Sequence, residues 1–287
     1  METGRKPSWI NKKVDFREMH ATEELLSGLS LHTVCHQAKC PNISECFGKK
    51  TATFMILGDT CTRSCAFCSV KKGRPVKPDT GEPENVTEAV KRMGLKYVII
   101  TSVTRDDLQD EGASFFAACV RNIKKFDGSI KVEVLTPDFK GDLTAVDTVI
   151  NESPDVFAHN VETVPSLYKI RKGADYTTSL RVIGHAKKTG VKVKSGIMLG
   201  LGEKEYEVLA AMRDLRMTGC DFLSIGQYLQ PKKDNIKVKE YIRPEKFDYY
   251  RELALSMGFL HVESGPYVRS SYRAENYLRS RLKFQMV

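Results

Sequence analysis

From Thr53 onward the chain alternates short apolar, β-branched runs with stretches of helical periodicity, and this alternation narrows the possible folds more than any other feature. Strands are expected over residues 53–57, 97–103, 131–135, 156–159, 191–198, 222–226 and 260–263. Helices are expected between them over 86–93, 113–126, 144–151, 177–189 and 205–217. Such alternation implies parallel strands joined by crossover helices, so the expected class is α/β, a full or partial (β/α) TIM-type barrel with N-terminal and C-terminal extensions. A length of 287 residues accommodates one such barrel with flanking pieces. The expected division is an N-terminal extension over 1–50, the barrel over 51–264 and a C-terminal extension over 265–287. Residues 71–83 hold three prolines and two glycines and read as a turn-rich connector.

Six of the eight cysteines fall within 34 residues, as Cys35, Cys40 and Cys46 followed by Cys61, Cys65 and Cys68. The two triplets differ in spacing, which argues against a repeat and for two separate sites. A disulfide framework suits a small secreted chain, whereas this N-terminus lacks an apolar signal core and no window approaches 18 uninterrupted apolar residues. The expectation is a cytoplasmic protein with reduced thiols and no membrane span. Structural zinc wants four ligands in paired arrangements, and neither triplet offers them, although His32 and His36 flank Cys35. Iron–sulfur ligation is the reading that remains.

The second triplet lies in Gly58-Asp59-Thr60-Cys61-Thr62-Arg63-Ser64-Cys65-Ala66-Phe67-Cys68, directly after the apolar run at 54–57 and so at the C-terminal end of the first expected barrel strand, on the catalytic face. Three thiolates on a [4Fe–4S] cluster leave the fourth iron open to a substrate, where an electron-transfer cluster would use four cysteines. Phe67 either shields the cluster or packs the loop. Cys119, in an apolar helical stretch, and Cys220, at a helix end, read as small core hydrophobes.

The CxxxCxxC loop resembles that of the radical S-adenosylmethionine (SAM) superfamily, in which the open iron binds the amino and carboxylate groups of SAM and one electron cleaves it to a 5′-deoxyadenosyl radical. Taken with Cys35-His36-Gln37-Ala38-Lys39-Cys40-Pro41-Asn42-Ile43-Ser44-Glu45-Cys46 and Arg269-Ser270-Ser271-Tyr272, it resembles the lipoyl synthase family within that superfamily. Further matches are Glu82-Pro83-Glu84-Asn85, Thr104-Arg105-Asp106-Asp107-Leu108, His159-Asn160-Val161-Glu162, Lys194-Ser195-Gly196 and Gly226-Gln227-Tyr228-Leu229-Gln230-Pro231, so the resemblance spans about residues 9–272. Phe47 stands where the family's pattern has a tryptophan, aromatic for aromatic.

The resemblance implies a sulfurtransferase that inserts two sulfur atoms at C6 and C8 of a protein-bound N6-octanoyl-lysine, giving N6-lipoyl-lysine. It implies two [4Fe–4S] clusters and two SAM molecules per turnover. One cluster is held by Cys61, Cys65 and Cys68. The other, an auxiliary cluster and sulfur donor, is held by Cys35, Cys40 and Cys46 with Ser271, or the adjacent Ser270, as fourth ligand. Serine is a harder donor than thiolate and suits a bond that must detach; by residue type alone, Ser270 and Ser271 equally suit a helix N-cap. The implied partners are octanoylated lipoyl domains of a 2-oxoacid dehydrogenase E2 or a glycine cleavage H protein, and an electron donor such as ferredoxin or flavodoxin.

Asn160, Glu162 and Gln227 stand at expected strand ends and are the candidates for SAM contacts, against a competing role as a polar cap on the rim. Arg269 either fixes the tail or is exposed. A net charge of +9 also raises a second class, a basic nucleic-acid-binding module. Its Lys and Arg residues are spread along the chain without a helix-turn-helix, RNP or finger pattern, so no nucleic acid is expected. The charge is instead assigned to steering an acidic carrier domain. A sulfur-inserting enzyme of the biotin synthase kind is the nearer rival, and it lacks the first triplet and the serine tail.

Overall fold

The computed structural model describes residues 6–10, 20–48 and 53–279. Short elements precede the barrel: α1 (His20–Gly28), then β1 (His32–Thr33) running into α2 (Val34–Gln37), then α3 (Ile43–Gly48). The barrel opens with β2 (Thr53–Ile56), and the cysteine loop after it is closed by the bridge pair β3 (Thr60–Cys61) and β4 (Lys71–Lys72). Alternation then runs through α4 (Glu82–Met93), β5 (Tyr97–Ser102), α5 (Ala113–Phe126), β6 (Lys131–Leu135), α6 (Leu143–Ile150) and β7 (Val156–Ala158). It continues with α7 (Tyr176–Lys188), β8 (Lys192–Leu199), α8 (Glu205–Met217), β9 (Phe222–Gln227), α9 (Pro244–Ser256), β10 (His261–Gly265) and the short α10 (Asn276–Arg279).

The sheet order is β1-β2-β5-β6-β7-β8-β9-β10, with β1 antiparallel to β2 and every later pairing parallel. No pairing joins β10 back to the first strands among the described residues, so the barrel is partial. All seven strands and all five helices expected from periodicity are present. Helix α9 was not expected, because its buried stripe of Phe247, Tyr250 and Ala254 is thin among charged residues. Its start is set instead by Pro244 in the first turn, where the missing N–H costs nothing. Asp142 and Asp175 cap α6 and α7 with side-chain oxygens that accept the N–H of Thr144 and Thr178.

Alternate residues of each strand go to two different cores. Val98 and Ile100, Val132 and Val134, Phe157, Val193, Leu223 and Ile225 pack outward beneath the helices. Ile99, Val156 and Phe222 form a second, smaller cluster that the tail closes with Ala274 and Tyr277. Higher in the interior the side chains are small, with Gly196, Ser224 and Gly226 lining a cavity of about 440 Å³ where barrels of this type are usually filled by branched residues. Gly226 serves a second purpose: a Cβ there would lie 2.1 Å from the Val268 carbonyl oxygen, so only glycine lets the tail cross this strand.

Candidate active site

Leu57 and Gly58 both take positive φ, 69° and 87°, and turn the chain sharply from β2 into the cysteine loop. A non-glycine residue held there needs support. Glu82, in the first turn of α4, supplies it by accepting the Leu57 N–H at 2.6 Å, while Arg105 donates to the Leu57 carbonyl at 3.3 Å. Burial pushes the Glu82 carboxyl up to about 7.

Within the loop Arg63 is buried and forms two forks, one to Asp106 at 2.8 Å and one to Asp138 at 2.7 Å. Burial alone would raise the Asp138 pKa, but the Arg63 guanidinium outweighs it and holds the carboxyl below its usual range. From the other side the Asn235 amide donates to the carbonyls of Ala66 and Cys68 at 2.9 and 3.0 Å, and Lys232 donates to that of Ser69 at 2.7 Å. The Ala66 N–H bonds the Ile170 carbonyl at 2.8 Å. The loop is therefore fixed by partners up to 169 positions away in sequence.

Cys35 lies on α2, whose N-cap is the Thr33 hydroxyl accepting the His36 N–H. Cys40 follows in a turn through Lys39 at φ 49°, and Cys46 lies on α3. The three converge on a small cavity that they share with Arg269, Ser271 and Tyr272. Asn42 donates to the Tyr267 carbonyl at 2.7 Å, tying the tail to this segment. Phe47 is buried and meets the His36 ring edge to face at 5.3 Å, a packing role open to any large aromatic residue.

Burial pushes the thiols of Cys35 and Cys65 up to about 12 and raises that of Cys68. Without metal they are protonated near pH 7, so iron that binds must displace protons. Among the described residues no three His, Cys, Asp or Glu side chains close on one point as a single-ion site would. Cys61, Cys65 and Cys68 are electrostatic neighbours of one another, with Cys68 facing the main cavity. Soft donors grouped in threes, each group beside a cavity, fit two iron–sulfur clusters.

The candidates for SAM differ in how free they are. Glu162, at φ 67°, lines the cavity and has its carboxyl raised by burial, moderated by Arg171 and Asn160. Asn160 donates to Glu162 at 3.2 Å and accepts from the Ser270 hydroxyl at 3.1 Å, so it joins Glu162 to the tail. The Gln227 amide is fully engaged by backbone: its nitrogen donates to the carbonyls of Leu199, Tyr228 and Glu240, and its oxygen accepts from the Ile242 N–H. Arg269 is half-buried, with Cys40 and Glu162 as electrostatic neighbours. Cys119 and Cys220 are buried, and burial raises both thiols, as for core hydrophobes. The tail's Arg281 and Lys283, which add to the net positive charge, lie outside the described residues.

Sequence reasoning did not single out Glu82, Arg63, Arg171 or Asn235 as site residues. A buried arginine is visible from sequence only when its acidic partners are known, and Asp138 is 75 positions away. His159, beside Asn160, is buried between the Thr136 carbonyl and the Ser179 hydroxyl, and burial lowers its pKa to about 4. Since the unfolded chain takes up this proton at higher pH than the folded one, stability is lost as pH falls from about 6.5 to about 4, by roughly 3 kcal/mol in full. Glu82, raised to about 7, opposes this because its contribution fades as pH rises towards 7. H159Q should therefore flatten the acid limb, which denaturant unfolding of the metal-free chain at several pH values would measure.

Residues 55–215 match the family model of the radical SAM superfamily. Methylornithine synthase (PylB) has the same fold, with a TM-score of 0.57 at 16 % identity, covering 92 % of each chain. So does SuiB of Streptococcus suis bound to S-adenosylmethionine, at 0.58 and 13 %, covering 86 % of this chain and 60 % of that one. Fold and cysteine loop together define a radical SAM enzyme. The lipoyl synthase of Citrifermentans bemidjiense is 54 % identical over 98 % of this chain and 97 % of its own length. That of Caldicellulosiruptor saccharolyticus is 53 % identical over 94 % and 96 %. The chain belongs to the lipoyl synthase family. Among the described residues no helix is long and apolar enough to cross a membrane.

Proposed function

We propose that this chain inserts two sulfur atoms, at C6 and C8, into an octanoyl group carried in amide linkage on a lysine of a lipoyl carrier domain. The observation that carries the reading is one cavity bordered by Cys35 and Cys40 of the first triplet, Cys68 of the second, and Ser270 and Ser271 of the tail. A saturated chain offers no proton that a side chain could remove near pH 7, so the C–H chemistry belongs to cofactors. When bound, SAM with the cluster of Cys61, Cys65 and Cys68 supplies hydrogen abstraction, and the auxiliary cluster of Cys35, Cys40 and Cys46 supplies sulfur.

The chain's own residues position these groups. Glu162 would hold the SAM ammonium, Asn160 orients Glu162, and Gln227 shapes the wall by bonding four backbone groups, those of Leu199, Tyr228, Glu240 and Ile242. Ser271 is the weak fourth ligand of the auxiliary cluster. Gly196, Ser224 and Gly226 leave room for an extended acyl chain to lie between the two sites. Residues 1–50 and 265–287 act as extensions that bring the auxiliary cluster to the barrel over 51–264. Exposed Lys39, Lys232 and Lys233 suit the approach of an acidic carrier, an E2 lipoyl domain or an H protein, in the cytoplasm, with ferredoxin or flavodoxin as electron source.

The test is anaerobic incubation of the reconstituted enzyme with SAM, a reductant and an octanoyl-lysine peptide, read by mass spectrometry. A product with two added sulfurs is expected. SAM cleavage without sulfur incorporation would contradict the reading.

A further inference from the structure

Beside the apolar cluster of Ile99, Val156, Phe222 and Tyr277, the barrel interior holds a charged pair that a packed core has no reason to contain. Lys194 on β8 and Glu133 on β6 are both fully buried and paired at 2.8 Å. The other Glu133 oxygen accepts the Tyr97 hydroxyl at 2.7 Å. A buried ion pair is weak evidence for stability, since apolar residues of similar volume often serve as well, so its presence calls for a task. The Lys194 ammonium has two further partners, both from the tail. It donates to the Ser270 carbonyl at 2.5 Å and lies 4.0 Å from the centre of the Tyr277 ring. Tyr277 is itself buried against Phe222 and His261, with ring centres 5.3 and 4.8 Å away.

Charge complementarity assigns each partner a role. Glu133, held by Tyr97, neutralises the ammonium. The remaining N–H bonds and the cation–π face are then available to a carbonyl and an aromatic ring. The residue whose carbonyl is captured immediately precedes Ser271. Its hydroxyl is held at the same time by Asn160, so the backbone entering Ser271 is fixed at two points. We propose that Lys194, Glu133 and Tyr97 are positioning residues that seat the C-terminal segment inside the barrel and thereby set Ser271 against the first cysteine triplet. The effect on the cluster rests on the reading of Ser271 as a ligand; the seating of the tail does not.

Hydrogen exchange on the full-length chain, metal-free and reconstituted, separates the two. In K194M/E133Q, which replaces both charges by neutral side chains of similar length, exchange over 266–279 should accelerate about tenfold or more, with α5 and α8 unchanged. Y97F removes only the hydroxyl on Glu133 and should accelerate the same segment about threefold, which decides the matter if the double variant does not fold. In K194M/E133Q the Mössbauer signature of the auxiliary cluster should change while that of the Cys61, Cys65 and Cys68 cluster does not, a split that general destabilisation would not give. Unchanged exchange over 266–279 in these variants would overturn the proposal. S271A should alter the auxiliary signature without loosening the tail. If S271A leaves that signature as in the wild type, the ligand assignment fails while the anchor stands on the exchange data.

Discussion

Replacing Cys35, Cys40 and Cys46 together by alanine is expected to abolish sulfur insertion and leave SAM cleavage in place. Iron after anaerobic reconstitution should fall from about eight to about four per chain, the difference between two four-iron cubanes and one. The physical ground for this separation is that the two triplets are held by different scaffolds. The first rests on α2, α3 and the contact of Asn42 with the tail, whereas the second is clamped from the barrel by Asp106 and Asp138, which hold the loop's own Arg63, and by Glu82 and Asn235. Among the described residues the Ser69 hydroxyl donates to the Gln37 carbonyl, a bond that joins the two segments without supplying a ligand to either site. Iron analysis with quantification of 5′-deoxyadenosine and of lipoyl product checks the expectation. Lipoyl product from the triple variant would remove the first triplet from the sulfur-donor role.

Replacing Arg63 by methionine should be the most destabilising single change in the cysteine loop. It would leave Asp138, almost fully buried, and Asp106 without their shared cation. Breaking a buried pair by removing one partner costs about 3–5 kcal/mol, much of it the penalty of the abandoned charge. At about 2–4 °C per kcal/mol for a chain of this size, thermal unfolding should begin roughly 10 °C lower. The loop should also lose its grip on iron, since Arg63 lies between Cys61 and Cys65 and its side chain ties that stretch to Asp106 and Asp138. The companion D138N keeps the shape and removes the charge, and should recover part of the loss when combined with R63M. Calorimetry on the metal-free chains measures the stability effect apart from cluster loss. An R63M chain as stable as the wild type would show that Asp138 does not need Arg63, being hydrated or protonated in its absence.

Strands and helices were legible in the sequence because each barrel strand is an apolar run bounded by helical periodicity, a local property. The cysteine sites were legible because ligand spacing is local too. What stayed hidden depends on residues far apart in the chain. Nothing near Gln227 announces that Leu199, Glu240 and Ile242 will occupy its amide, so its place at a strand end was readable and its load was not. The route of the tail is set by the bare backbone at Gly226 and by Lys194, a lysine that composition alone would put on the surface. The serines of the tail looked like helix caps by residue type. The structure gathers Ser271 with Cys35, Cys40 and Cys46 on one cavity, which supports the proposed ligand role.

The auxiliary cluster as sulfur source is tested most directly by isotope. The full-length chain is reconstituted with a heavy sulfur isotope and allowed a single turnover with SAM, a reductant and an octanoyl-lysine peptide, with light sulfide in solution. Both sulfurs of the lipoyl product should be heavy, with loss of iron from the site of Cys35, Cys40 and Cys46 and none from that of Cys61, Cys65 and Cys68. A product carrying only light sulfur, with both clusters intact, would contradict the assignment.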